Sequence, residues 1–192
     1  LFVPAAQIEK LRNATRRTSQ LAHQLLALSR ADARHVQAQA HERVDLKELC
    51  ENLLEAFWDS AAAKQIDLGL EVEPVHVSGQ AWLLRELLSN LVDNAIKYTP
   101  AGGQVTLRCG RQRRGARQTK AFLQVEDDGP GVPRGERERI LERFYRLPGA
   151  VGEGSGLGLA IAQEIAQGHH ASLQLASGSG QQGLRVSLVF PE

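Results

Sequence analysis

The sequence contains no methionine, only two cysteines and few aromatic residues. Cys50 and Cys109 belong to no Cys-x-x-Cys pair and no Cys/His cluster, which argues against a disulfide framework or a structural zinc and suits a reducing compartment. They read as ordinary core thiols. No run approaches the roughly 18 apolar residues that a membrane helix requires, and the N-terminus lacks a charged-then-apolar leader pattern. The chain as given is therefore expected to be soluble, with no membrane contact of its own. It also lacks charge of one sign: 23 Lys+Arg stand against 22 Asp+Glu. That balance excludes the global basic field that draws a protein onto nucleic acid, so no nucleic-acid partner is expected. The first residue is Leu1 rather than Met, so the chain is expected to be a piece of a longer protein with room upstream for a membrane segment.

At 192 residues and 21.0 kDa, the expectation is one α+β domain with a smaller helical piece. From Ala5 to about Ala33, apolar residues including Ile8, Leu11, Leu21, Leu25 and Leu28 recur at threes and fours. A helix of that length would run on the order of 40 Å at about 1.5 Å per residue, too long for one small domain to cover. Its stripe is expected to pair with other helices, as a hairpin or a dimer. Polar residues 37–43 lead into Val44-Asp45-Leu46, where Asp45 is placed as the N-cap of a helix reaching about Ala63. The division falls there: residues 1–40 as a partial dimerisation segment and 44–192 as the main domain.

Within that domain, 66–72 alternates as a strand and 75–77 suggests a short second one. A helix is expected from about Gln80 to Tyr98, stopped by Thr99-Pro100-Ala101-Gly102-Gly103. Residues 104–111 and 121–126 read as a hairpin, 157–167 as a helix, and 172–176 with 184–190 as a closing strand pair. The pattern describes a mixed, largely antiparallel sheet covered by helices on one face.

Three elements carry chemistry. On the helix 86–98, Asn90, Asn94, Lys97 and Tyr98 fall on one side at i, i+4, i+7 and i+8. Neutral amide oxygens suit Mg²⁺, and a lysine beside them suits phosphate. An exposed polar helix face is the alternative at this point. The second element, Val125-Glu126-Asp127-Asp128-Gly129-Pro130-Gly131, ends a strand in a carboxylate that can accept an exocyclic amine, with glycines that admit a ring closely. A plain Asp-Gly turn is the alternative. The third, Gly154-Ser155-Gly156-Leu157-Gly158, feeds glycines into a helix start, an anion site by its backbone N–H groups and dipole. It matches neither a P-loop nor a Rossmann fingerprint.

Taken together, and with Glu142-Arg143-Phe144-Tyr145-Arg146-Leu147 between the second and third, these elements resemble the N, G1, F and G2 boxes of the bacterial sensor histidine kinases. The similarity runs from about Val44 to the C-terminus, within a wider ATPase superfamily shared with gyrase. It implies the Bergerat α/β sandwich, ATP and Mg²⁺ as cofactors, and transfer of the γ-phosphate to a histidine for relay to an aspartate on a response regulator receiver domain. By the same resemblance Asn90 and Asn94 would serve the metal and phosphates, with Asn90 and Lys97 in the catalytic step. Asp127 would hold adenine beside Gly129 and Gly131, and Lys97 and Tyr98 would flank the nucleotide. Residues from about Val132 to Ser155 would form a lid. Arg143 and Arg146 would be candidates for phosphate contact, and Gly154, Ser155, Gly156, Leu157 and Gly158 would form its phosphate-facing hinge. A homodimer through the helical hairpin, and a cytoplasmic position in an inner-membrane sensor, are implied for the intact protein.

Position 90 separates branches of that superfamily, because hydrolytic relatives carry there a glutamate that activates water. Asn90 is no such base, so slow hydrolysis and transfer to another nucleophile are expected. The acceptor motif close to His-Glu-x-x-Thr-Pro is missing. His23, without a following acid, reads as a surface or interface residue of a second hairpin helix, and His35, His41, His76, His169 and His170 read as structural. An ATPase, an anti-sigma-type serine kinase, and a nucleotide-binding or dimerisation module without turnover are the competing classes. The basic stretch from Arg108 to Lys120 reads as a solvated hairpin end, with an acidic surface or anionic lipid as weaker partners.

Overall fold

The computed structural model describes residues 41–114, 118–149 and 154–191. The long N-terminal helix, His23 and His35 lie outside the described residues, as do positions 150–153 of the expected lid.

Strand β1 (Glu42–Asp45) opens the described chain. Its first two residues belong to the polar stretch 37–43, expected as a lead-in rather than a strand. With only Val44 buried, it offers no alternation to detect, and it exists because β3 (His76–Gly79) pairs with it antiparallel, Glu42 opposite Gly79 and Asp45 opposite His76. Helix α1 (Leu46–Ala63) follows, and Asp45 caps it as expected: Oδ1 accepts the N–H groups of Lys47 at 2.9 Å and Glu48 at 3.3 Å. Such a cap is worth about 1 kcal/mol.

The main sheet contains β2 (Asp67–Val72), β4 (Gln104–Arg114), β5 (Gln118–Asp127), β6 (Ser172–Ser177) and β7 (Leu184–Val189). Its order is β2-β4-β5-β7-β6, with only β2–β4 parallel. The hairpin β4–β5 is longer than the expected 104–111 and 121–126. Charged and polar residues continue it past both neighbouring strands, where no apolar alternation marks it.

Helices α1, α2 (Ala81–Tyr98) and α3 (Gly158–Gly168) pack on the same face of this sheet. Alternation explains why: Val105, Leu107, Leu123, Val125, Val186 and Leu188 turn their side chains into the core, where they meet leucines of α1 and α2 and the Ile161 and Ile165 pair of α3. Cys50 and Cys109 meet in this core, both buried and neither in a disulfide. Their mutual hydrogen bond and burial push the Cys50 thiol up, which keeps it protonated.

The other face of the sheet is polar and carries one charged ladder across four strands. Glu71 of β2 holds Arg108 of β4 through two bonds of 2.6 and 3.0 Å. Arg108 reaches Glu126 of β5 at 2.8 Å, and Glu126 in turn takes Arg185 of β7 at 2.7 Å.

Two further contacts place the end of α2. Lys64, just past α1, donates from Nζ to the carbonyl oxygens of Ile96 at 2.7 Å and Lys97 at 2.6 Å, a cation at the negative end of the helix. Beyond Tyr98, the turn 99–103 packs under Asp128, whose Oδ1 accepts the N–H of Gln104 at 2.9 Å. Helix end, turn and the Asp127–Asp128 corner form one unit.

Candidate nucleotide site

Helix α2 lays Asn90 and Asn94 one turn apart against the beginning of α3. Asn90 is oriented by its own helix. Its Nδ2 donates to the carbonyl of Glu86 at 2.9 Å and to Glu86 Oε1 at 3.2 Å. That turns Oδ1 toward α3, 3.4 Å from where a Cβ on Gly158 would stand, while Asn94 Nδ2 is 3.1 Å from the same point. One turn further along, a Cβ on Gly154 would run into Lys97 Nζ, and the Tyr98 hydroxyl is 3.7 Å from that position. Lys97 Nζ also lies 5.1 Å from the Tyr98 ring centre. Glycine at 154 and 158 thus lets the backbone approach the polar side chains of α2 closely.

The corner after β5 meets the same helix from its C-terminal side. A Cβ on Gly129 would be 3.1 Å from the carbonyl oxygen of Tyr98. Asp127, half-buried, concentrates its donors on one oxygen: Oδ1 accepts the N–H of Gly129 at 3.0 Å and of Leu184 at 3.2 Å. Burial pushes its carboxyl above the ordinary range, against the pull of those two backbone donors.

Leu184 and the turn before it are contributions that the sequence reading missed. Ser177-Gly178-Ser179-Gly180 leads out of β6 in the closing strand pair, yet the turn folds back over Asp127. Gly183, at φ +69, would drive a Cβ into the Asp127 carbonyl oxygen, and Gly178 would place one 3.0 Å from the same atom. The available signal was the number of glycines, too many for a simple hairpin. On the opposite face, Glu126 has a side chain 9 % exposed, and its Oε1 takes the Ser179 N–H at 2.7 Å. Burial opposes its charge, but Arg185 and Ser179 outweigh it and hold the carboxyl at about 2.

Between the Asp127 corner and the glycine-rich helix start, 3₁₀ turns at Arg134–Glu136 and Arg139–Leu141 organise the chain. Arg137 ties this segment to β6 by a 2.7 Å bond to Ser177 Oγ, and Tyr145 donates to Glu136 while its ring carries Arg139 at 4.4 Å. Phe144, 66 % exposed, takes the left-handed φ of +66, and its N–H donates to the Gly156 carbonyl at 2.9 Å. Gly156 itself is at φ +70, and a Cβ there would lie 2.6 Å from the Phe144 carbonyl carbon.

Of the expected arginines, Arg143 is paired at 2.9 Å with Glu164 of α3, so its guanidinium lies along α3, and Arg146 is half-buried. Ser155 Oγ accepts the Leu157 N–H at 3.2 Å, and Leu157 is fully buried, anchoring the start of α3. Gly131, at φ +71, packs on the Gly183 carbonyl. Among the described residues, no cluster of three or more His, Cys, Asp or Glu forms a metal site.

A helix carrying two asparagines and a lysine, a glycine-rich helix start facing them, and a half-buried carboxylate at a strand end define an ATP-binding α+β sandwich. Comparison gives that class its family. Residues 79–192 match the histidine kinase-, DNA gyrase B- and HSP90-like ATPases, and the chain belongs to that family. Membership implies ATP as the bound nucleotide. The chain is 41 % identical over 177 residues to the sensor protein kinase PmrB of Pseudomonas aeruginosa, covering 92 % of this chain and 36 % of that protein. It is 36 % identical over 169 residues to the sensor protein QseC of Escherichia coli, covering 87 % and 35 %. The chain spans about a third of the length of the curated relatives it matches. Among solved structures, the mycobacterial sensor histidine kinase MprB superposes with a TM-score of 0.68 at 32 % identity, over 79 % of this chain and 97 % of that one. The full-length histidine kinase ShkA in complex with AMPPNP gives 0.76 at 25 % identity, over 100 % and 40 %. The expected Bergerat α/β sandwich is therefore the fold observed.

Proposed function

We propose that this chain is the ATP-binding, phosphoryl-transferring portion of a two-component sensor histidine kinase. Residues 1–40 would belong to its dimerising hairpin and 44–192 would form the catalytic domain. The observation that carries the reading is the meeting of Asn90 and Asn94 with the glycine-rich start of α3, beside Lys97 and across from Asp127. The similarity to the sensor protein kinase PmrB and to the sensor histidine kinase MprB supports it.

Asp127 holds adenine. With Oδ1 committed to Gly129 and Leu184, Oδ2 is the oxygen assigned to the exocyclic amine. Backbone N–H groups at the start of α3, with Gly154, Ser155, Gly156 and Gly158, hold phosphate oxygens, and Lys97 balances their charge. Asn90 and Asn94 fit Mg²⁺, because Glu86 takes the Asn90 amino group and leaves the amide oxygen facing the phosphate side. When bound, the ion would neutralise charge on the β- and γ-phosphates. No carboxylate replaces Asn90, and Glu86 is committed to orienting it, so water is not activated and the γ-phosphate awaits a histidine supplied by the hairpin. Catalysis then rests on positioning and charge neutralisation. Arg143 and Arg146 remain assigned to the lid, with Arg143 leaving Glu164 if it is to reach phosphate. The intact protein would be a homodimer, cytoplasmic in this portion and anchored in the inner membrane, with a response regulator receiver domain as partner.

The test is calorimetric titration of this chain with a non-hydrolysable ATP analogue, with and without Mg²⁺, beside Asp127→Asn. Saturable, Mg²⁺-enhanced binding that the variant weakens at least about tenfold is expected. Transfer from ATP to a separately supplied, His-bearing hairpin is the second step. A folded wild type that binds no nucleotide would overturn the reading.

A further inference from the structure

Asp127 owes its setting to its neighbour on the other face of β5. Glu126 lies beneath the sheet, away from the helices, and gathers donors from three directions: Arg108 at 2.8 Å, Arg185 at 2.7 Å and the backbone N–H of Ser179 at 2.7 Å. Gln124 Nε2 stands 3.5 Å from Oε2, the oxygen that takes both arginines, while Ser179 is on Oε1. Two of these partners belong to the segment that closes over Asp127. Ser179 opens the turn whose Gly178 and Gly183 press on the Asp127 carbonyl, and Arg185 follows Leu184, the donor to Asp127 Oδ1. Arg185 is also opposite Glu126 in the β5–β7 register and reaches the Ser179 hydroxyl at 3.2 Å. The carboxylate therefore pins both ends of the turn 179–185 that supplies the Leu184 donor.

We infer that Glu126 is a positioning residue that sets base selectivity at the nucleotide site, by holding the 179–185 turn so that the Leu184 N–H fixes the Asp127 carboxylate. The inference rests on the proposed assignment of Asp127 to adenine. The physical chain is short. A carboxylate facing the exocyclic amine of adenine makes a charge-assisted bond, whereas guanine places a carbonyl oxygen at the same position and is repelled. Selectivity therefore depends on where the Asp127 carboxylate points, while phosphate contacts, at the start of α3, are shared by both nucleotides. Glu126 touches neither ligand region. Its loss should alter the base and spare the phosphates.

The ladder supplies its own control. Glu71 also holds Arg108, by two bonds, but touches neither Ser179 nor Arg185. Ser179→Pro offers a second approach, removing the N–H donor, together with the hydroxyl that Arg185 reaches, while keeping the Glu126 charge. Gly178, with ψ −177, has the extended backbone that a following proline favours.

The experiment measures dissociation constants of non-hydrolysable ATP and GTP analogues, with Mg²⁺, for the wild type, Glu126→Gln, Ser179→Pro and Glu71→Gln, each checked for folding by circular dichroism. The expected result is a wild type that prefers the ATP analogue. In Glu126→Gln and Ser179→Pro its affinity should fall about tenfold with GTP-analogue affinity little changed, and Glu71→Gln should keep the wild-type ratio. Parallel loss of both nucleotides in folded Glu126→Gln and Ser179→Pro, or an unchanged ratio in both, would overturn the inference and leave the nucleotide reading standing. If Glu126→Gln does not fold, Ser179→Pro alone decides. A wild type that binds neither analogue would overturn both.

Discussion

The backbone N–H of Gln80 donates to Nε2 of His169 across 3.0 Å, joining the start of α2 to the residue that ends α3. Nδ1 of the same ring stands 2.8 Å from the Ile165 carbonyl, so the ring is held neutral with its proton on Nδ1. It is 97 % buried, with Gly79 leaving room for it: a Cβ there would lie 2.8 Å from the ring. His41, where the described chain begins, stacks on it with ring centres 5.5 Å apart.

Protonation of His169 would turn the acceptor Nε2 into a donor facing another donor. Burial, with the nearby His41 and His170, depresses its basicity below the ordinary value of 6.5, against the support of the Ile165 carbonyl. A depressed folded-state value means that stability is complete above pH 6.5 and declines as pH falls below it, because the unfolded chain then binds the proton more readily. Thermal melts from pH 8 to 5 should show that decline. His169→Leu should lose about 2 kcal/mol at pH 7.5, leaving the Gln80 N–H buried without its acceptor, and should flatten the His169 part of the slope.

Asp127 shifts in the opposite sense. Its carboxyl is raised by burial, so the ionised form costs the free domain stability at neutral pH, and under the proposed adenine assignment nucleotide binding needs that form. Two results should follow. Affinity for the ATP analogue should weaken on acidification, with a midpoint above the ordinary aspartate value of 3.8. Asp127→Asn should keep the Oδ1 acceptor for Gly129 and Leu184, melt no lower than the wild type without nucleotide, and lose the nucleotide-induced gain in Tm. A variant that melts far lower would show that the carboxylate serves the fold rather than the ligand.

How much of this was legible depended on distance along the chain. Helix α2 was readable because its apolar stripe and polar face repeat within eighteen residues, and its end was marked by Pro100 and two glycines. The Asn90 and Asn94 spacing followed from helical geometry alone. Strand β1 was not readable, since its only justification is pairing with β3. The same holds for the ribbon end of β4–β5, whose arginines look like a loop until the partner strand is placed. At the site, sequence patterns identified the carboxylate at 127 but not what fixes it. Leu184 and Ser179 act through backbone donors and Lys64 through long-range bonds to backbone carbonyls, to which residue type gives little clue.

Glycine at 156 is required twice over. Its φ of +70 strains any residue with a Cβ, and that Cβ would lie 2.6 Å from the Phe144 carbonyl carbon and 2.9 Å from its oxygen. Phe144 is itself left-handed and bonded to Gly156, so it has little freedom to yield. Gly156→Ala should therefore cost about 1–3 kcal/mol, borne where the segment after Phe144 joins α3, and should weaken analogue binding as well as lower Tm. Gly135→Ala, where a Cβ meets nothing within 4 Å, should change neither. Isothermal titration and melts on the two variants give the comparison.

Thr99 poses the last question, because its hydroxyl is buried with no hydrogen-bond partner. It ends α2 immediately after Tyr98, with its Cα 3.4 Å from where a Cβ on Gly129 would stand, so it sits against the side of the site proposed for adenine. An unpaired buried hydroxyl costs about 1–3 kcal/mol relative to an apolar group of the same shape. Valine is that group here, and its extra methyl takes the place of the oxygen. Thr99→Val should raise Tm in the absence of nucleotide. If the hydroxyl serves only the turn, analogue affinity stays unchanged; if bound nucleotide draws it into a hydrogen bond, affinity falls as stability rises, and the two measurements on one variant separate the cases.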